Sequence, residues 1–151
     1  MTKFITLDSN SFKEVRNQMG KDKRFAKYMT LFFSERLSIV VVHEALRGGG
    51  GRLFERKDIS ADSGVLTPTK EDWFDAGCSI KAVKKVSTKE ALRKATNDAL
   101  IASVCSKNNV TLVTNNAVDF EDLKKHFKSL RYVTVAQLMQ EYTMEKARGT
   151  I

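Results

Sequence analysis

Short runs rich in β-branched residues alternate with longer stretches of helical period along the whole chain, and this alternation limits the fold more than any other feature. Phe4-Ile5-Thr6-Leu7 is the first β run; it stops at Asp8-Ser9-Asn10-Ser11, a cluster suited to a turn and a helix N-cap. A helix is expected from about Phe12 to Met19, broken by Gly20 and the charged Lys21-Asp22-Lys23-Arg24, after which Phe25, Tyr28, Met29, Phe32 and Phe33 recur at helical spacing. The second β run, Leu37-Ser38-Ile39-Val40-Val41-Val42, is continuous enough for a strand buried on both faces. His43 to Arg47 starts a helix that Gly48 to Gly51 ends. A third short strand, Gly64 to Thr67, precedes Pro68, which is placed to start the helix carrying Trp73, Phe74, Cys78, Ile80 and Val83. Another helix runs from about Lys89 to Lys107, then a strand Val110 to Val113, a helix from about Val118 to Phe127, a strand Tyr132 to Val135, and a last helix. Such a succession predicts an α/β fold: a parallel sheet of four to five strands flanked by helices in three layers.

A chain of 151 residues fits one domain spanning 1–151. With 42% apolar and 29% charged residues, it is neither a disordered chain nor a membrane protein by composition. No signal-like or bilayer-length apolar run occurs, so a cytoplasmic location is expected. Cys78 and Cys105 lack the spacing and the neighbouring histidines of a zinc site and read as buried thiols of a reducing compartment. The net charge of +8 is spread along the chain rather than gathered in a tail, so any anionic partner must meet a folded surface.

In parallel α/β sheets ligands bind beyond the carboxyl ends of the strands, and four acidic residues are placed to meet there. Asp8 follows the first strand, Glu44 lies two residues past the second, and Asp119 opens the helix after Thr114-Asn115-Asn116. Asp98 sits on the border of an apolar helix face, where a carboxylate is costly unless it has a partner. Each also has a structural explanation: Asp8 as a helix cap, Glu44 and Asp119 as first-turn acids facing a helix dipole, and Asp98 as the partner of a cation such as Arg93. Gathered at one edge, however, four carboxylates repel unless a cation lies among them, and oxygen donors without His or Cys select Mg2+ or Mn2+.

These residues, in the contexts FITLDSNSF, VVVHEALRGG, NDALIASVCSKNNVTLVT and TNNAVDF, resemble the PIN domain family, and within it the VapC-type toxin ribonucleases of toxin-antitoxin pairs. The likeness runs from about Phe4 to Val135. It implies metal-binding acids at Asp8, Glu44, Asp98 and Asp119, polar site residues at Thr114, Asn116 and Asn10, and an endoribonuclease that hydrolyses RNA phosphodiester bonds with Mg2+ or Mn2+. It further implies a small protein antitoxin covering the acidic pocket, and often a homodimer. Whether Glu44 binds metal or serves as a base is open at this point. The run Gly48 to Gly51 is longer than the family pattern requires after the second acid.

Phosphates beyond the metal need cations. The densest basic stretch is Lys81, Lys84, Lys85, Lys89, Arg93 and Lys94; Arg47, Arg52 and Arg56 beside the glycine run form a second set. His43 reads as a packing residue or a neighbour of the acids, and there is no Ser-His-Asp or Cys-His arrangement. Two other readings stand beside the ribonuclease. One is a catalytically silent PIN-like module that binds RNA or protein; the other is an RNA-processing or DNA-directed nuclease of the same fold. A receiver-type regulator needs a Lys after the last strand, which Arg131-Tyr132-Val133 does not offer.

Overall fold

The computed structural model describes residues 2–47, 64–82 and 88–151. Four parallel strands, β1 (Lys3–Leu7), β2 (Phe33–Glu35), β3 (Thr111–Val113) and β4 (Arg131–Val133), form one sheet in the order β2-β1-β3-β4. The register places Ile5 beside both Glu35 and Thr111, Leu7 beside Val113, and Val113 beside Val133. The described helices are α1 (Ser9–Lys21), α2 (Lys23–Phe32), α3 (Ile39–Arg47), α4 (Lys70–Ala82), α5 (Lys89–Lys107), α6 (Ala117–His126) and α7 (Val135–Ala147).

Side chains alternate along each strand, so the sheet divides the apolar residues into two cores. Ile5, Leu7 and Val113 point to a cluster with Phe12 and Val15 of α1, Phe25, Tyr28 and Met29 of α2, and Leu138 and Tyr142 of α7. Leu112 points to the other, with Ala99 to Ala102 and Val104 of α5 and Phe120 and Leu123 of α6. These are the three layers expected.

Local chemistry sets the helix starts. Asp8 caps α1 by accepting a hydrogen bond from the Ser11 backbone N at 3.0 Å, and Asp22 caps α2 by accepting from the backbone N of Arg24 and Phe25. Asp22 also accepts a 2.7 Å bond from the Tyr142 hydroxyl, tying α2 to α7. Thr134 and Gln137 close α7 with a reciprocal capping box. At the turn into β3, Asn109 takes a left-handed φ of 55°, a conformation that asparagine tolerates better than most residues.

The second β run is where expectation and structure part. Ile39–Arg47 is a helix, and the strand of this region is Phe33–Glu35, which the aromatic spacing had assigned to the end of a helix. The reason is burial. Val40 and Val41 enter one core while Val42 and Ala45 enter the other, so α3 is apolar on several sides and shows no clean helical period. Residues 64–67 supply only an isolated bridge, Ser38 to Leu66, so the described residues give the sheet four strands, within the expected four to five. Val135 is the first residue of α7, not the last of a strand. Cys78 is exposed, against the expectation of two buried thiols, whereas Cys105 is buried and its thiol is pushed up to about 12 by burial.

One polar clasp holds the helical layer together. Asp72 exchanges hydrogen bonds with Thr69 at the start of α4, and its other oxygen accepts from Ser103 at 2.6 Å and pairs with Lys107 at 3.1 Å on α5. Burial favours the protonated form, but the hydroxyl and backbone donors and Lys107 outweigh it and hold the carboxyl below its ordinary value of 3.8. The folded protein therefore binds this proton less readily than the unfolded chain, so the clasp stabilises above the ordinary carboxylate range and is lost as pH falls below it. Asp72→Ala is expected to cost about 2–3 kcal/mol at pH 7 in urea unfolding, because it strands Ser103 and Lys107; an unchanged midpoint would contradict the clasp. Thiol labelling should separate the cysteines: Cys78 reacts in the native protein, and Cys105 reacts only on unfolding.

Candidate functional site

Two of the four acids, Asp8 and Asp119, are delivered by the segments that follow β1 and β3 at the carboxyl edge of the sheet. Asp8 directly follows β1, and its backbone N donates to the Val113 carbonyl at 3.2 Å, locking it to the end of β3. One carboxylate oxygen caps α1; the other accepts a hydrogen bond from the Thr114 hydroxyl. The capping role and the site role of Asp8 are thus compatible. Thr114 is fully buried, and its hydroxyl also accepts from the Asn116 backbone N at 2.9 Å. Asn116 in turn donates its side-chain amide to Asp119 at 2.7 Å, and Asp119 lies exposed in the first turn of α6. Between them, Asn115 donates to Glu14 of α1 at 2.5 Å. Thr114-Asn115-Asn116 therefore places one donor on each of three carboxylates.

Glu44 reaches the site from α3, in the second turn of that helix rather than just past a strand. Burial raises its pKa and Asp8 raises it further, opposed by a side-chain hydrogen bond from Asn97 and by the charges of Lys94 and Arg93. Asp98, on α5, is raised to about 7: burial is the largest cause, then the negative charges of Glu44, Asp119 and Asp8, with Lys94 opposing. Four carboxylates from α1, α3, α5 and α6 thus share one electrostatic field. Among the described residues, no three His, Cys, Asp or Glu side chains stand close enough to grip one ion directly.

The cations are placed differently from the sequence expectation. Arg93 forms its ion pair with Glu90, so it is not the partner of Asp98; Lys94, one turn before Asp98, is the cation that acts on it. Arg47 ends α3 and is exposed, as is His43, which rules out a packing role for that histidine. Asn10 is exposed in the first turn of α1, where Asp8 supplies the cap. Gly48 to Gly51, Arg52, Arg56, Lys84 and Lys85 lie outside the described residues, as does the side chain of Lys81. Asn97 was not singled out in the sequence, although an interior asparagine next to an aspartate is a poor helix former and calls for a side-chain reason.

Four parallel strands in one sheet flanked by helices give the chain a PIN-like fold. In particular, the chain superposes on a chain of the DNA-bound VapBC from Salmonella typhimurium, at 21% identity over 89% of this chain and 98% of that one, with a TM-score of 0.51. It superposes likewise on a chain of VapBC-1 from nontypeable Haemophilus influenzae, at 17% identity over 87% and 97%, with a TM-score of 0.55. At such identities the likeness is one of fold. The sequence matches no protein-family model and no curated protein.

Asp98 has a thermodynamic signature. Its folded pKa lies above its unfolded one, so in metal-free buffer the native state loses stability as pH rises from about 4 toward 7. Asp98→Asn should remove that loss and raise the thermal midpoint at pH 8 by roughly 3–6 °C. A midpoint at or below that of the wild type would show that Asp98 is not destabilised by its neighbours.

Proposed function

We propose that this chain is a divalent-metal-dependent endoribonuclease, the toxin of a VapC-type toxin-antitoxin pair, with Asp8, Asp98 and Asp119 as the residues that would hold Mg2+ or Mn2+ and Glu44 beside them. The observation that carries this reading is the hydrogen-bonded run Asp8–Thr114–Asn116–Asp119 at the carboxyl edge of the sheet, beside which burial first, and then the charges of Glu44, Asp119 and Asp8, raise Asp98 to about 7. A protein has little reason to gather acids against their mutual repulsion unless a cation joins them. Oxygen-only donors suit a hard ion, and Mg2+ keeps several waters and takes only one or two direct carboxylates, so a set of acids wider than a closed cage is compatible with it. The fold shared with VapBC chains supports the same reading.

When bound, the cation would lower the pKa of water and neutralise charge on the scissile phosphate. The chain's own residues then have distinct tasks. Thr114 fixes the orientation of Asp8, and Asn116 fixes that of Asp119, so neither carboxylate has to be ordered when substrate arrives. In this reading Lys94 on α5 and Arg47 at the end of α3 would meet phosphates flanking the cleaved bond, with Arg93, paired to Glu90, beside them. Glu44 would either help to hold the metal through a water or serve as the base for the attacking water.

By likeness to the VapBC assemblies, the partners proposed are a small protein antitoxin and a second copy of the chain. The remainder of the reading is a single domain acting in the cytoplasm; no described helix is long and apolar enough to cross a membrane. The lack of a closed metal cage among the described residues favours one second reading, a silent RNA-binding module.

Incubation of the protein with total RNA, tRNA and single-stranded DNA in Mg2+ separates the two. The enzyme reading predicts RNA cleavage that EDTA abolishes and that Asp98→Asn lowers by about 100-fold or more. Binding without cleavage would favour the module. Cleavage that survives in Asp98→Asn would overturn the site.

A further inference from the structure

The segment between β3 and α6 commits three consecutive side chains to carboxylates, yet only two of those carboxylates belong to the four site acids. Thr114 donates to Asp8, and Asn116 donates to Asp119. Asn115, between them, donates its amide to Glu14 of α1 at 2.5 Å. Both Glu14 and Asn115 are exposed, so their bond adds little to the stability of the fold. Its place beside the site calls for another reason.

The geometry of α1 supplies it. Asp8 caps this helix, and Glu14 follows six residues on, about 9 Å along the axis. The helix itself is held firmly, since Phe12 and Val15 lie in the core. The 114–116 segment is irregular, and its sheet anchor is the Thr114 backbone N, which donates to the Val133 carbonyl at 2.9 Å. Beyond that anchor, Asn115 is tied down through its side chain, to Glu14. The segment is therefore bonded to α1 twice, at the cap through Thr114 and further along the helix through Asn115. The first bond fixes one end of the segment; the second fixes its path toward Asn116, whose amide carries Asp119.

We infer that Glu14 is a positioning residue for the proposed metal site: through Asn115 it holds Thr114-Asn115-Asn116 against α1, so that Asp8 and Asp119 keep the arrangement a divalent cation needs. This rests on the metal-dependent reading above. The residue type suits the task, because an ionised carboxylate is the strongest acceptor a side chain can offer an amide. Glu14 also brings a negative charge, and the two effects can be separated. Glutamine at 14 keeps an acceptor oxygen and loses the charge. Alanine loses both and, as a good helix former at an exposed position, leaves α1 intact.

The test measures Mn2+ binding by calorimetry on the full chain without RNA, with thermal midpoints and RNA cleavage followed in parallel. Glu14→Ala is expected to weaken Mn2+ binding about tenfold and to lower kcat more than it raises KM, with a midpoint within about 2 °C of the wild type. Glu14→Gln is expected to recover most of the affinity. Asn115→Ala should lose as much as Glu14→Ala, and the double variant no more than either alone, because all three break the same bond. Unchanged Mn2+ affinity in Glu14→Ala overturns the inference, as do losses that add in the double variant. Glu14→Gln as weak as Glu14→Ala would assign the effect to charge and overturns it too, and a lowered midpoint with affinity retained would assign Glu14 to the fold. If Mn2+ binding falls in Asp98→Asn but in none of these variants, the inference fails while the metal reading stands; if the wild type binds no Mn2+, both fall.

Discussion

Asp98 is carried into a half-buried position by a helix whose following residues, Ala99 to Cys105, are all buried, and it lies there in the field of three more carboxylates. Much of the rest of the structure is needed to impose that arrangement. Helix α5 cannot withdraw, because its apolar face forms the core against β3 and α6. The Asp72 clasp fixes it to α4 from the far side through Ser103 and Lys107. Asp8 cannot withdraw either, since it caps α1 and is bonded through its backbone to β3. The cost of repulsion is thus borne by packing elsewhere, the usual way in which a fold supports a strained functional site.

The topology makes this economical. With β1 at the centre of the sheet beside β3, the ends of both strands open on one edge, and each is followed by residues that serve the site: Asp8 after β1, Thr114 to Asn116 after β3. Helices α3 and α5 then bring Glu44 and Asp98 across the top. Neutral donors of the β3–α6 segment hold Asp8 and Asp119, so their orientation is set without neutralising the negative potential that would attract a cation. The chain as a whole carries a net charge of +8, the sign that the proposed polyanionic substrate would require.

Much of this could be read from sequence, for identifiable reasons. β1, β3, α5 and α6 were legible because their apolar residues keep one period and because Asp8-Ser9-Asn10-Ser11 and Thr114-Asn115-Asn116 punctuate them. The run Leu37 to Val42 misled because α3 is buried in both cores, and a helix apolar on most sides resembles an interior strand. β2 was hidden for the opposite reason: three half-buried residues at the sheet edge, Phe33 to Glu35, continue the aromatic spacing of α2. Glu44 was placed two residues past a strand in the sequence reading, whereas the structure puts it in the second turn of α3.

The most direct measurement of the central claim is a carboxyl 13C NMR titration of Asp98, with and without Mg2+. If four carboxylates form one cation-binding field, Asp98 titrates near 7 in metal-free buffer, and Mg2+ moves that titration down toward the ordinary carboxylate value of 3.8. A titration near 3.8 in both conditions, indifferent to Mg2+, would contradict it.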